Sequence, residues 1–323
     1  MVIKTKMMNE RTRNFQGIRL LLLLGIAFRH IQIPIFGQGN LLCTFFFILS
    51  GFLYVQPSSL KDYYKKKFFK MFPSYWICII LYYILLHRSI NWNILPHIAL
   101  VHSFVPSPSG ESYYFKYIGV SWFLSSLLFC YVVSPFIYPL MRRIRGGQNI
   151  IFIALLVLLM VLFRSSKIIP LDYRIWFFYI SPFWRLLEYL LGVSLRNLLE
   201  GSEQEDFRHS SFWGALIIIL YLFAMNLGIS VLYVSLLHLF VIYFIYCYKS
   251  KFLDIVLGNK YVVEVAKYGL AMYLSHQFVW YYLYKVVETP RTLSMVLAVI
   301  VGFLLGWIYS MVEKFVCRCM KKK

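Results

Sequence analysis

The chain has 323 residues, of which 60% are hydrophobic, 20% are aromatic and only 14% are charged. Its mean hydropathy is +0.68, whereas about 25% of the residues of a typical soluble domain are charged. This composition excludes an ordinary soluble domain and predicts a polytopic helical membrane protein, because long apolar runs recur along the whole sequence. A net charge of +20 would also fit nucleic-acid binding, but the placement of the charges argues against that partner.

The apolar runs predict an all-α bundle of about ten transmembrane helices. In chain order they cover residues 16–35, 39–56, 71–87, 118–140, 149–163, 175–195, 212–228, 230–247, 265–286 and 293–316. We expect a single membrane domain over residues 1–323, with a basic N-terminus at 1–15 and a basic tail at 317–323. The start resembles a signal peptide but lacks a small-x-small cleavage site, so we expect an uncleaved first span.

Lysine and arginine are concentrated in alternate connections between these spans. One side collects Lys4, Lys6, Arg11, Arg13, Lys61, Lys65, Lys66, Lys67, Lys70, Arg142, Arg143, Arg145, Lys249, Lys251, Lys260, Lys321, Lys322 and Lys323. The other side holds Arg88, Lys116, Arg164, Lys167, Arg174 and Arg291. The positive-inside rule then predicts that both termini are cytoplasmic. The excess charge is explained by topology and by attraction to anionic membrane lipids, with no nucleic-acid partner.

Three connections are longer than the rest. Residues 57–70 are predicted to be a basic, aromatic loop at the inner surface, and residues 199–211 an acidic, solvated linker. Residues 88–117 lie outside and include an apolar piece, 94–105, which is too short to span and would re-enter the membrane or cover a pocket. The six cysteines lack metal-ligand spacing, so we expect neither a zinc site nor disulfides.

The first predicted span carries two ionisable side chains, Arg19 and His30, in GIRLLLLLGIAFRH. Eleven helical steps of about 100° bring them onto one stripe at depths roughly 16 Å apart. Charged groups within spans are costly and therefore point to function. Arg19 could also be a snorkelling anchor and His30 a structural group. The functional interpretation makes neutral His30 a general base, with Arg19 suited to the distant anionic end of an extended substrate.

Other polar groups within or beside the spans allow two interpretations each. Ser50, in SGFL, either permits close helix packing or belongs to a site. Lys67 and Lys70, three residues apart, form either a basic collar or a phosphate grip at the membrane surface. Trp122 is either an interfacial anchor, the usual role of tryptophan, or a support of the site.

The later spans carry three more such groups. Arg185 and Glu188 are expected to pair within the sixth span, in a role that is structural rather than catalytic. His276, in the ninth span, fits helix packing and a site equally well.

Taken together and in order, these motifs resemble the acyltransferase-3 family of integral membrane O-acyltransferases. The motifs are Arg19-x10-His30, FFFILSGFL (45–53), K-x-x-K-x-x-P (67–73), SWFL (121–124), WRLLEYLLG (184–192) and YGLAMYLSH (268–276). The resemblance covers nearly the whole chain and is closest to the WFL-type subgroup. Many members have a glutamate shortly after the tryptophan of the fourth span. Here Leu127 and Leu128 stand at that point, so no catalytic carboxylate is assigned.

The resemblance implies an O-acetyltransferase of the bacterial inner membrane. Its donor would be acetyl-CoA, with no permanently bound cofactor and no metal. Its acceptor would be a hydroxyl of an extracytoplasmic glycan or lipid-linked glycan, such as O-antigen, capsule or another surface polysaccharide. His30 would match the catalytic histidine and Arg19 the arginine that acts with the donor. Lys67 and Lys70 stand where the family usually has two arginines, and lysine lacks their bidentate fork. Larger members append an extracytoplasmic domain, which we do not expect here.

Two other functions remain open at this level. A transporter or flippase for glycan precursors would also place polar residues within spans, but it predicts inverted repeats or paired broken helices, and the sequence shows neither. A polysaccharide polymerase would be expected to have a large outer loop rich in arginine. The loop at 88–117 is modest and holds only Arg88 and Lys116 as basic residues.

Overall fold

A computed structural model describes residues 12–31, 33, 39–87, 91–202, 204–205, 210–227 and 231–321, with side chains for all of these except 231–232 and 313–321. Over this part the chain is helical, and the only β-type pairing described is a single bridge between Glu205 and Tyr248. The predicted all-α fold is confirmed. Most of the basic N-terminus, the last two lysines, and the side chains of Cys317 and Cys319 lie outside the described residues.

The α-helices are numbered here in chain order. They are α1 (Asn14–Arg29), α2 (Gly39–Phe52), α3 (Leu60–Leu86), α4 (Leu95–Ile98), α5 (Ser121–Met141), α6 (Gln148–Ser165), α7 (Pro182–Leu198), α8 (Ser210–Asn226), α9 (Val231–Cys247), α10 (Lys251–Val256), α11 (Lys260–Ala266), α12 (Gly269–Lys285) and α13 (Arg291–Lys321). Single 3-10 turns lie at Trp92–Ile94, His102–Phe104, Tyr113–Phe115 and Leu171–Tyr173, and a π-helical turn at Trp176–Ile180 precedes α7.

Each of the ten predicted spans overlaps at least one of these helices. Among the described residues, four helices are both long and apolar enough to cross a membrane, namely α3, α5, α6 and the part of α13 at Arg291–Val312. Shorter apolar helices occur at Gly39–Phe52, Ser210–Asn226 and Tyr233–Cys247. The protein therefore has membrane-spanning character, while the count of about ten spans and the cytoplasmic position of both termini stay predictions.

The predicted loop at 57–70 is wrong over most of its length, because α3 begins at Leu60. Ser59 starts this helix: its hydroxyl accepts a hydrogen bond from the backbone N–H of Asp62, which satisfies one of the free amides of the first turn. Basic and aromatic residues are compatible with an exposed helix at a membrane surface. Lys67 and Lys70 consequently lie on a helix that continues into the membrane-spanning part.

Helices α2 and α7 approach unusually closely through two glycines. A Cβ built on Gly51 would lie 1.9 Å from the carbonyl oxygen of Tyr189, and one built on Gly192 would lie 1.8 Å from that of Ile48. Each helix therefore places a glycine against the backbone of the other, which only a residue without a side chain permits. The glycine of SGFL is thus a packing residue, and this contact sets the position of the polar side chains carried by both helices.

The connection at residues 91–120, called the outer connection here after its predicted side of the membrane, folds back onto the bundle. The rings of His97 and His102 stack with centroids 4.0 Å apart. The hydroxyls of Ser103 and Ser125 are hydrogen-bonded at 2.7 Å, and that of Ser125 also donates to the carbonyl of Leu100 at 2.7 Å. These buried contacts attach residues 95–105 to α5. This packing tests neither re-entry into the membrane nor the covering of a pocket, so both roles of the apolar piece stay predictions.

Candidate active site

His30 lies at the C-terminal end of α1, where it caps the helix, and its side chain is half-buried. It lines a cavity of about 470 Å³, here called the His30 cavity. The other lining residues are Ile26, Arg29, Gly39, Cys43, Tyr82, Leu86, Phe115, Tyr117, Ile118, Gly119, Val120, Trp122, Tyr179, Tyr273, Gln277, Phe278, Trp280 and Tyr281. Phe115 and Tyr117 belong to the outer connection, which therefore covers this cavity.

A second cavity of about 650 Å³, the arginine cavity, adjoins the first. It is lined by Arg29, His30, Gly39, Asn40, Thr44, Phe115, Arg164, Arg174, Ile175, Phe178, Tyr179 and Arg185. Arg29, His30, Gly39, Phe115 and Tyr179 line both cavities. His30 thus stands at the junction of two spaces, each within the range of about 300–1,000 Å³ that is common for small-molecule sites.

His276, on α12, is packed against His30, with ring centroids 5.2 Å apart. The Nδ1 atom of His276 is 2.7 Å from the carbonyl oxygen of Tyr273. A carbonyl only accepts, so Nδ1 carries the proton in this contact and Nε2 is the free acceptor. Nε2 is buried and has no hydrogen-bond partner among the described residues. His276 can therefore accept a hydrogen bond from a neighbouring N–H, and the ring of His30 is adjacent.

Arg185 and Glu188 form a fully buried ion pair, as the sequence predicts, at 2.6 Å between Nη1 and Oε2. Thr44 on α2 joins the pair: its hydroxyl lies 3.1 Å from Glu188 and 3.1 Å from Arg185. Nε and one N–H of Nη2 donate to the carbonyl of Tyr179 at 2.8 and 2.7 Å. Four of the five N–H groups of Arg185 thus have acceptors inside the protein, so the pair supports the wall of the arginine cavity.

Trp122 is buried rather than interfacial, with 2% of its surface exposed. Its ring packs on Tyr179 at 4.5 Å and under the guanidinium of Arg185 at 5.4 Å. A buried position in the wall of the His30 cavity differs from the membrane-belt role that tryptophan usually has. The contacts with Tyr179 and Arg185 place the ring in the interior of the bundle.

Arg19 belongs to a different group of residues near the other end of α1. Its guanidinium is within electrostatic range of Tyr131 and Lys70. The Nζ atom of Lys67 lies 3.4 Å above the ring of Tyr131, a cation–π contact. Ser50 lies beside the Tyr131 hydroxyl. The structure therefore groups Arg19, Ser50, Lys67 and Tyr131, here called the Arg19 cluster, and Ser50 does not line either cavity at His30.

Lys70 points toward a third space, the lysine cleft, of about 360 Å³. The cleft lies between α3 and the last helices and is lined by Lys66, Phe69, Lys70, Ser74, Lys267, Tyr268, Leu270, Ala271, Gly306, Tyr309 and Ser310. Lys67 contacts the ring of Tyr131 and Lys70 lines the cleft, while both lie within electrostatic range of Tyr131. A joint phosphate grip by the two lysines stays a prediction. Three lysines around one cleft form a site suited to a phosphate group, because ammonium groups bind phosphate as point charges.

The sequence analysis missed several residues that line these cavities. Tyr179 and Gln277 stand beside motifs that it did identify, and Arg164 and Arg174 were seen only as outer charges. Adjacency to His276 could have pointed to Gln277. Nothing in the sequence places Arg164 and Arg174 next to His30, because they are brought there by the packing of α6 and the turn before α7.

No group of three histidine, cysteine, aspartate or glutamate side chains that could hold a metal ion occurs among the described residues. The features that the site presents are instead an imidazole at the junction of two cavities, a second imidazole able to orient it, and separate clusters of cationic groups. Such an arrangement can carry out proton transfer at neutral pH next to a bound anionic substrate.

Comparison with known proteins identifies one family. The sequence model of an acyltransferase domain, that of the acyltransferase-3 family, matches residues 13–311. No curated protein and no solved structure matches the chain. The match covers almost the whole length and includes every motif on which the resemblance was based. The chain therefore belongs to the acyltransferase-3 family and is a membrane acyltransferase.

Proposed function

We propose that this acyltransferase is an O-acetyltransferase that moves the acetyl group of cytoplasmic acetyl-CoA to a hydroxyl of an extracytoplasmic glycan. The observation that carries the proposal is the position of His30 at the junction of two cavities, with His276 packed against it at 5.2 Å. The family supplies the acyl-transfer reaction, and the polar, aromatic lining of both cavities is typical of sites that bind sugars and other small polar molecules.

The donor would bind by its phosphates at the lysine cleft and the Arg19 cluster. Lys66, Lys70 and Lys267 surround the cleft, and CoA carries phosphate groups that such a site attracts. Ten residues lie between Arg19 and His30, so the eleven helical steps correspond to a rise of about 16 Å. The slender pantetheine arm would run along α1 over this interval. The cleft and the His30 cavity have no described lining residue in common, so side chains between them would have to move as the arm enters.

His30 would act as the general base. As the acceptor oxygen attacks the thioester carbonyl, one ring nitrogen of His30 takes its proton, and a C–O bond forms. The C–S bond then breaks, and the CoA thiolate receives the proton from the imidazolium, which restores neutral His30. Arg29 lines the same two cavities and is the nearest candidate in sequence for stabilising the oxyanion.

His276 would act as a positioning residue. Because its Nδ1–H is held by the carbonyl of Tyr273, Nε2 is available to accept the N–H of His30. Such a contact fixes which nitrogen of His30 carries the proton and leaves the other free as the base. In many enzymes a carboxylate orients the histidine that acts as the base. His276 would orient His30 in the same way, without adding a negative charge inside the membrane.

The test is a comparison of surface polysaccharide from cells that express the wild type, His30→Ala or Arg19→Ala. Proton NMR of the purified glycan reports O-acetyl methyl signals, which mild base removes. We expect these signals with the wild type, and a loss of about 10²-fold or more with His30→Ala at equal abundance in the membrane. Equal acetylation by His30→Ala would refute His30 as the base. A change in the amount or length of the glycan without any acetylation would favour a transporter or polymerase.

A further inference from the structure

The arginine cavity determines what kind of acceptor fits beside His30. We propose that it binds the acceptor through an anionic group, a carboxylate or a phosphate. Arg164 and Arg174 would hold this group, and Arg29 would lie between it and His30. The proposal rests on the acyl-transfer function proposed above and names the class of its acceptor.

The cavity has an unbalanced positive charge. Four arginines line it, Arg29, Arg164, Arg174 and Arg185, and no aspartate or glutamate is among its described lining residues. Glu188 lies just behind the wall and neutralises Arg185 through the 2.6 Å ion pair. Three guanidinium groups therefore remain around one space without a carboxylate bound to any of them in the described part of the chain.

The side chain of Arg164 is held in the cavity by weak contacts only. Its guanidinium carbon is 5.6 Å from the centre of the Phe178 ring, which lines the same space. Arg174 and Arg185 repel its charge, and only Glu188, already paired, attracts it. A group of like charges around a half-buried space is unfavourable without a counter-ion, so an anion bound there would relieve the repulsion.

Arg174 has one buried donor that no described residue uses. Its Nη2 donates to the carbonyl of Ser166 at 2.8 Å. Its Nε is shielded from water and has no hydrogen-bond partner among the described residues. A buried N–H without an acceptor is unfavourable, so a rotation of the side chain that brings Nε to an oxygen of a bound carboxylate or phosphate would be favourable.

The position relative to His30 fits an acceptor rather than the donor. Arg29, His30 and Tyr179 line both cavities, whereas the phosphates of the donor have a separate site at the lysine cleft. An acceptor held by its anionic group at Arg164 and Arg174 could therefore present a hydroxyl at His30. Arginine binds carboxylates and phosphates with the same two-pronged geometry. The anionic group could thus belong to an acidic sugar or to the diphosphate that joins a glycan to its lipid carrier.

The first experiment identifies the charge of the product. Native membranes that contain the protein are incubated with radiolabelled acetyl-CoA, and His30→Ala membranes serve as the blank. Base-labile labelled glycan is applied to an anion exchanger directly, after reduction of carboxyl groups, and after mild acid that cleaves a lipid diphosphate. We expect the exchanger to retain the untreated labelled glycan. Loss of retention after carboxyl reduction would identify an acidic sugar, and loss after mild acid a lipid-linked diphosphate.

Two outcomes separate this proposal from the function on which it rests. Labelled glycan that passes through the exchanger untreated would overturn the anionic acceptor and leave acyl transfer intact. No labelled glycan above the His30→Ala blank would overturn the proposed function, and the acceptor class with it.

The second experiment tests the arginines. Arg164→Gln should lower labelling at least about tenfold, because a charged hydrogen-bond partner is lost, and Arg164→Lys should retain part of the activity. Lys167→Gln is the matched control: it removes one charge from the same segment at an exposed position that does not line the cavity, and labelling should stay within about twofold. Equal labelling by Arg164→Gln at equal abundance, or an equal fall with Lys167→Gln, would overturn the proposal.

Discussion

The contact between α2 and α7 makes a quantitative prediction for Gly51→Ala. The new methyl group would lie 1.9 Å from the carbonyl oxygen of Tyr189, whereas ordinary contact begins at 3.4 Å. The helices would therefore have to separate by about 1.5 Å at this point. Thr44 lies two turns away on the same helix and hydrogen-bonds to Glu188 at 3.1 Å, a bond that such a separation breaks.

Two destabilising effects then lower the free energy of unfolding. Overpacking of a close helix contact costs about 1–3 kcal/mol, and a buried polar group left without its partner costs about 1–3 kcal/mol. We expect Gly51→Ala to destabilise the protein by about 2–6 kcal/mol. The thermal unfolding midpoint in detergent should fall by several degrees, and acyl transfer should fall with the amount of folded protein.

The control for this prediction is Gly147→Ala, because a Cβ at Gly147 meets no atom within 4 Å. Its unfolding midpoint should match that of the wild type. If Gly51→Ala had an unchanged midpoint but lost acyl transfer, the close approach would not be its main role, and the SGFL backbone would belong to the reaction. An unchanged midpoint with unchanged activity would contradict the packing argument itself.

Two further predictions concern histidines. His276→Ala should lower kcat for acetyl transfer about 10–100-fold, because His30 loses the group that orients it, with the KM for acetyl-CoA and the abundance unchanged; a fall in abundance alone would make His276 a packing residue. In the outer connection, the pKa of His97 is lowered to about 4, mainly by burial and to a smaller extent by the charge of Lys116. The pKa of His102 is lowered well below its usual range, mainly by burial and to a smaller extent by His97. Both are neutral while the connection is closed and would be protonated below about pH 6.5 when it opens, so its stability is present above that pH and is lost as the pH falls. Hydrogen exchange over residues 91–120 should therefore be faster at pH 5 than at pH 7, after correction for the intrinsic rate, and a variant with glutamine at both positions that kept the same pH dependence would contradict this cause.

Several features followed from local sequence alone. Composition and apolar run length predict membrane helices because a buried backbone in lipid must satisfy its own hydrogen bonds. The interval between Arg19 and His30 predicts their separation because a helix has a fixed rise per residue. Arg185 and Glu188 were expected to pair because residues three apart on a helix are neighbours, and the ion pair is present.

Helix boundaries were predicted less well. The start of α3 at Leu60 was missed, since the basic and aromatic residues before the apolar run hide a surface helix and only the Ser59 cap marks its beginning. The count of about ten spans and the sidedness of both termini depend on the surrounding membrane and stay predictions. Tryptophan is usually an interfacial anchor, but Trp122 is buried with its ring against Tyr179 and Arg185.

The sequence by itself determined the class of protein and its family, because both depend on residue types and on their spacing within local segments. The roles of Arg19 and His30 stay predictions. Only the tertiary structure decided what surrounds them. It placed His276 against His30, Ser50 in the Arg19 cluster instead of beside His30, and Arg164 and Arg174 in one cavity with His30. These contacts join helices far apart in the chain, and no local pattern encodes which faces of two helices will meet.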